Sequence, residues 1–457
     1  MKKNILLLSA FFLMALPLSG QSYEPKWESL DKRETPGWWQ DAKFGIFVFW
    51  GIYSVPAYAP TESDNVYVKY AEHYMRRLYI KKTPEFVAHH ERYFGKGYRY
   101  ENFAADFTAR YFNAGDWVSL FERSGARYVV LTSKHHDGYC LWPSRYAPRW
   151  NSAVIGPGRD LLGEFAEAMA KSSLEMGFYY SLLEWNHPLY SDATLEEWTN
   201  QLMLPQMKEL IENYKPHIFY TDGDWDFPSD RLHSEAFLAW LYNESPVKDD
   251  VVVNDRWGKE TRGHHGGYYT TEYNLVHDDA AGEYAHPWEE CRGIGGSFGY
   301  NQFENIWDYS SAAELIKILV EKVSAGGNLL LDVGPTADGL IPVVMQARLL
   351  EMGDWLSVNG EAIYGSRKLS LPVKKQQDGV YYTVKGRDLY VICTDWKDVI
   401  NIDIQGLGKP RKAQLLGCRQ KVAVSGSDGR LRITAPRLSP ANLPCDHAWV
   451  YKLTDCL

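Results

Sequence analysis

From about residue 40 to residue 360 the chain alternates between two patterns of polarity. Short unbroken apolar runs occupy residues 44–49, 128–133, 177–181, 217–221, 251–254, 268–271, 296–298 and 328–333. Runs of that length without polar alternation are what strands covered on both faces require. Between them, residues 161–176 place Leu161, Leu162, Phe165, Met169 and Leu174 at helical spacing, and residues 195–214, 232–242, 312–323 and 344–356 repeat the pattern. Eight strands alternating with helices predict an α/β fold, a (β/α)₈ TIM-like barrel. Little helical sequence separates the sixth and seventh runs, so the barrel is expected to be irregular. Residues 52–127 form a long insertion after the first strand, rich in Tyr, His and Glu.

Past residue 365 the pattern changes. Short β-like runs at 380–384, 389–394, 399–404, 412–416, 431–434 and 448–453 are separated by Gly, Asp, Pro and Ser. They predict an antiparallel β-sandwich over 366–457, behind a barrel over 21–365. The first 20 residues differ from both. Lys2 and Lys3 precede an apolar stretch from Ile5 to Leu18 that ends at Ser19 and Gly20. This is the form of a secretory signal peptide and implies export to the periplasm or the extracellular space, without membrane insertion. Six cysteines without a CxxC pair argue against a zinc ribbon, and four of them lie in the last 65 residues, where export permits a disulfide.

Composition narrows the partner. Lys and Arg number 49 against 58 Asp and Glu, a net charge of −9, which disfavours nucleic acid and anionic membranes. The 17 Trp and 31 Tyr exceed what a core needs and suit the C–H faces of sugars. The polar residues that follow each strand sharpen this. Trp50-Gly51 follow the first run, Lys134-His135-His136-Asp137-Gly138 the second, and Glu184-Trp185 the third. Asp222-Gly223-Asp224-Trp225 follow the fourth, Asp255-Arg256-Trp257 the fifth, and Glu272 the sixth. In a barrel these strand ends converge on one mouth. Carboxylates with His, Arg and aromatic groups there fit glycoside hydrolysis, in which one carboxylate attacks and another handles the proton.

These segments carry a resemblance. Ala42-Lys43-Phe44-Gly45-Ile46-Phe47, Tyr53-Ser54-Val55-Pro56, Lys134-His135-His136-Asp137-Gly138, Thr221-Asp222-Gly223-Asp224-Trp225, Asn254-Asp255-Arg256-Trp257-Gly258, Ser297-Phe298-Gly299-Tyr300-Asn301 and Gly326-Gly327-Asn328-Leu329-Leu330 stand in the order found in glycoside hydrolase family 29. The chain resembles the exported bacterial α-L-fucosidases of that family over most of residues 25–365. The resemblance implies a retaining exo-acting enzyme that removes terminal fucose from glycans and glycoproteins, with no cofactor and no metal. It makes Asp222 the nucleophile, although Asp224 would share its face in a strand-like stretch. It makes Glu272 the acid/base, with Glu289 as runner-up; Glu290, beside the latter, reads as a solvated surface charge. His135, His136, Glu72, His73, Tyr179 and Arg256 match hydroxyl-binding positions, and Phe47 and Phe298 match the wall around the sugar's methyl group. Two positions depart from the family: Phe49 stands where His is usual, and His73 where some relatives have Trp. Phe49 leaves open an α-L-galactosidase or a weakened, sugar-binding homologue. Adjacent His residues also suggest metal; neighbours on a strand face apart, however, and no His-x-His motif supplies a third ligand.

Overall fold

A computed structural model describes residues 22–63, 65–273 and 286–457. The expected signal peptide lies outside these residues. Eight parallel strands form one curled sheet: β1 (Phe44–Val48), β2 (Tyr128–Lys134), β3 (Glu175–Ser181), β4 (Ile218–Asp222), β5 (Val252–Val253), β6 (Tyr269–Glu272), β7 (Trp288–Gly293) and β8 (Asn328–Val333). The order is β5-β4-β3-β2-β1-β8-β7-β6, and a parallel bridge from Asn254 to Tyr268 joins the two ends. The fifth strand has two residues, so the barrel is irregular as expected.

Alternate residues of each strand divide the interior from the helix layer. Phe47, Tyr128, Val130, Ile218, Tyr220, Cys291 and Leu330 pack with one another inside the barrel. Their strand neighbours Phe44, Ile46, Val48, Val129, Leu131, Phe219, Leu329 and Leu331 join the outer core with Leu315, Leu319, Leu349 and Met352 of the helices Ala312–Ser324 and Val343–Asn359. A residue buried on either face reads as apolar in sequence, which is why most strands stood out.

The seventh strand did not. The expected strand at 296–298 is a loop; the strand is Trp288–Gly293, with sequence Trp-Glu-Glu-Cys-Arg-Gly. Both glutamates are fully buried. Glu289 accepts a hydrogen bond from the Tyr128 hydroxyl inside the barrel. Glu290 faces outward, accepting from Thr271 Oγ1 with Arg292 at 3.6 Å and Lys322 at 3.9 Å. The reading of Glu290 as a solvated charge is therefore corrected. Partnered charges can occupy a strand covered on both faces, and a search for apolar runs passes over them.

From Arg367 onward nine short strands form two antiparallel sheets, of four and five strands. Val380, Leu389, Val391, Ile400, Ile402, Leu431, Ile433 and Leu453 fill the space between them. The other face of the larger sheet lies against the barrel's last helix, with Trp355 Nε1 donating to the Ala448 carbonyl at 2.9 Å. All six cysteines are unpaired, so the disulfide permitted near the C-terminus is not formed. Among the described residues, no helix is long and apolar enough to cross a membrane.

Candidate active site

A cavity of about 600 Å³ opens at the C-terminal ends of the strands, where barrel sites form. Phe47 and Phe49 reach it from β1 and the residue beyond, Tyr179 from β3, Asp222 from β4, Arg256 from the loop after β5, and Glu272 from β6. The insertion contributes Tyr70, Glu72 and His73, and the segment after β7 contributes Phe298. Every site residue expected from sequence lines this cavity except His136, which touches Asp222 beside it, and Glu289.

Asp222 ends β4, and Gly223 then takes φ +80°, a left-handed conformation that turns the chain out of the strand. Asp222 and Asp224 are thereby separated in role. Asp224 is clamped by Arg262, whose Nε and Nη2 each donate to one carboxylate oxygen at 2.7 Å. Asp222 receives Tyr179 OH at 2.9 Å on Oδ2, with Arg256 Nη1 at 2.8 Å and Arg262 Nη2 at 3.4 Å on Oδ1. Burial alone would favour its protonated form, but the charges of Arg256 and Arg262 outweigh burial and hold the carboxyl well below its ordinary range. Asp222 is a buried anion fixed by three donors.

Glu272 accepts from Tyr70 OH at 2.5 Å and from Arg256 Nη2 at 3.4 Å. One guanidinium thus touches both Asp222 and Glu272, so the two carboxylates sit within the span of a single arginine fork. Arg256 is itself braced: its Nε donates to Thr270 Oγ1 at 3.0 Å, and Thr270 donates to Asp255 at 2.7 Å. Glu289 lies elsewhere. Glu272 pairs in register with Cys291, which lines the cavity, and Glu289 is two residues earlier on the same face of β7. That places it one side-chain layer deeper, about 6–7 Å down the strand. Burial pushes its carboxyl up to about 8, against hydrogen bonds from Tyr128 and Tyr268 and the charge of Arg256.

Beside Asp222 stands an imidazole cluster. Strand β2 ends at Lys134, so His135 and His136 are loop residues whose rings lie 4.1 Å apart. The expectation that they face apart is corrected, because the pleat does not reach them. His73 supplies the third imidazole that the sequence pattern lacked, and one nitrogen from each ring lies within 4.8 Å of the others. Burial lowers the pKa of all three, that of His136 to about 3. His136 Nδ1 lies 2.6 Å from Ser181 Oγ, whose hydroxyl donates to the Leu183 carbonyl. Nδ1 therefore carries the proton and Nε2 is an acceptor, 3.5 Å from Asp222 Oδ2. Glu72 accepts from the Gly299 amide at 2.8 Å and from Ser297 Oγ at 3.2 Å, and burial raises it to about 8.

Phe49 packs its ring against Phe47 at 4.7 Å, Phe298 at 5.0 Å and Tyr179 at 5.1 Å between centroids. Phe47, Phe49, Phe298 and Tyr179 thus form a contiguous aromatic wall of the cavity. Sequence reasoning missed Tyr70 and Arg262. Both come from irregular segments, where neither periodicity nor a strand end marks a residue.

A family model described as alpha-L-fucosidase matches residues 10–361, and one described as alpha-L-fucosidase C-terminal domain matches residues 374–454. The tissue alpha-L-fucosidase of Homo sapiens is 40% identical over 441 residues, covering 94% of this chain and 92% of its own length. The alpha-L-fucosidase of Branchiostoma floridae is 42% identical over 456 residues, covering 94% and 95%. The crystal structure of Thermotoga maritima alpha-fucosidase in complex with fucose has a TM-score of 0.78 at 34% identity, covering 94% of this chain and 99% of that one. Its complex with a mechanism-based inhibitor gives 0.79 at the same identity. With a family model spanning the barrel and relatives matched along nearly their whole length, the chain belongs to the α-L-fucosidase family of glycoside hydrolases.

Proposed function

We propose that this α-L-fucosidase removes terminal α-L-fucose with net retention, with Asp222 as nucleophile and Glu272 as acid/base. The observation that carries the reading is the Arg256 guanidinium shared by the two carboxylates at 2.8 and 3.4 Å. A retaining enzyme needs two carboxyl groups about 5–5.5 Å apart, close enough for one to attack the anomeric carbon while the other reaches the leaving oxygen. Asp222 suits attack because three donors keep it ionised and fixed. Glu272 suits proton transfer because it faces the same cavity, whereas Glu289 lies a layer below it.

In the first step Glu272 gives its proton to the leaving oxygen as Asp222 bonds to the anomeric carbon. In the second, Glu272 takes a proton from water, and that water displaces the aspartyl ester. Tyr179, Arg256 and Arg262 hold the carboxylate through both displacements. The uncapped imidazoles of His73, His135 and His136, with Glu72, are suited to fucose hydroxyls, and Phe47, Phe49 and Phe298 to its methyl face. That aromatic wall leaves a C6 hydroxyl without a partner and so favours fucose over L-galactose. The partner is a fucosylated oligosaccharide or glycoconjugate. The charged and apolar pattern of residues 2–20 supports action outside the cytoplasm.

The test is hydrolysis of 4-nitrophenyl α-L-fucoside. The wild type should turn it over, and Asp222→Ala should lose at least about 10³-fold in kcat/KM, as removal of a covalent nucleophile does. Comparable turnover by both proteins would end the assignment.

A further inference from the structure

We propose that His73, His135 and His136 form a binding site for a transition-metal dication, zinc foremost, that overlaps the sugar subsite, so that bound metal and bound sugar exclude each other. Three observations carry it. One nitrogen of each ring lies within 4.8 Å of the other two. His73 Nδ1, His135 Nδ1 and His136 Nε2 are buried and have no hydrogen-bond partner. And His136 already donates its other nitrogen to Ser181, the outer partner that fixes a ligating imidazole's tautomer and leaves a lone pair for the ion.

The chemistry selects the metal. Neutral imidazoles suit zinc, copper and nickel, whereas magnesium and calcium require oxygen ligands. Zinc–nitrogen bonds of about 2.0–2.1 Å set tetrahedral ligand nitrogens about 3.4 Å apart, so from separations of up to 4.8 Å the three nitrogens close by at most about 1.4 Å. His73 can supply that movement, since it sits on a single 3₁₀ turn of the insertion while the other two are fixed near the end of β2. Asp222 Oδ2, 3.5 Å from His136 Nε2, gives the site a negative neighbour that favours a cation. The same carboxylate is the proposed nucleophile, so an ion held here stands where the sugar ring must lie. Only this exclusion rests on the proposed sugar subsite; metal binding by the three rings does not.

The test is calorimetric titration of Zn²⁺ into full-length protein stripped with a chelator, with and without saturating L-fucose, alongside inhibition of nitrophenyl fucoside hydrolysis. One equivalent should bind, fucose should compete with it, inhibition should be competitive and reversed by chelator, and Mg²⁺ should produce neither heat nor inhibition. Loss of an outer partner alone weakens metal sites about 10–100-fold, so His73→Gln, which removes a ligand, should weaken zinc at least about tenfold. Zinc that does not bind, that binds together with fucose, or that binds His73→Gln as tightly as wild type overturns the proposal. If His73→Gln does not fold, Co²⁺ decides on the wild type: a visible tetrahedral spectrum that fucose abolishes supports the site, and an octahedral spectrum or one indifferent to fucose overturns it. A wild type with no turnover that still binds zinc through His73 would refute the hydrolase reading and leave the metal site standing.

Discussion

Replacing Glu289 by Gln separates the two candidate glutamates through stability as well as rate. Glu289 is fully buried on β7, and burial raises its carboxyl from 4.5 to about 8. The folded protein therefore keeps a proton that the unfolded chain releases once the pH passes 4.5. This residue's contribution to stability is therefore complete below about pH 4.5, declines as the pH rises toward 8, and changes no further above that. One pKa unit corresponds to about 1.4 kcal/mol, so the decline between about pH 5 and pH 8.5 is at most on the order of 4 kcal/mol. At about 2 cal/mol/K per residue of unfolding entropy, that is roughly 5 °C in Tm for a chain of this size. The amide introduced by Glu289→Gln cannot titrate, yet its oxygen can still accept from Tyr128. Calorimetric melting at the two pH values should show the wild type losing several degrees more than Glu289→Gln. The variant's kcat/KM at about pH 6 should stay within about threefold of wild type, whereas Glu272→Gln should lose about 10²–10⁴-fold on a substrate with a poor leaving group, the usual worth of a general acid. A Glu289→Gln variant that loses as much rate as Glu272→Gln, or whose Tm follows the wild-type pH dependence, would refute the reasoning.

Three further outcomes follow from the same geometry. Azide should restore turnover of a nitrophenyl substrate to Glu272→Ala but not to Glu289→Ala, because only the first truncation opens space beside the anomeric carbon; the reverse pattern would move the acid/base to Glu289. Arg262→Ala should destabilise the protein by about 3–5 kcal/mol in chemical denaturation and depress kcat/KM, since it leaves Asp224 as a buried charge without its clamp; an unchanged denaturation midpoint would contradict this. Phe49→His should raise kcat/KM for nitrophenyl fucoside by about tenfold, the worth of one added hydrogen bond to a sugar hydroxyl, and an unaltered value would show that Phe49 forfeits nothing.

Most of the barrel was legible because its strands are covered on both faces, so their residues read as unbroken apolar runs. The exception is instructive. Trp288–Gly293 hides a strand behind Glu289, Glu290 and Arg292, whose burial depends on Tyr128, Thr271 and Lys322 from other elements. No local pattern encodes such pairing. The strand-end rule exposed Asp222, Arg256 and Glu272, because barrel topology converts position in sequence into position at the mouth. It was silent on Tyr70 and Arg262, which irregular segments deliver to Glu272 and Asp224. The histidines show the same boundary. His135 and His136 were named, yet their common orientation depends on β2 ending at Lys134, and His73 joins them only through the fold of the insertion.

The proposed mechanism depends above all on Asp222 forming the covalent bond. Treating the protein with a 2-deoxy-2-fluoro-L-fucosyl fluoride slows the second displacement more than the first, so the ester accumulates, and peptide mass spectrometry then locates it. The expected result is a single fluorofucosyl group on Asp222, removed as the enzyme regains activity. A label on Asp224 or Glu272 instead, or turnover without any label and with inverted fucose as the first product, would contradict it.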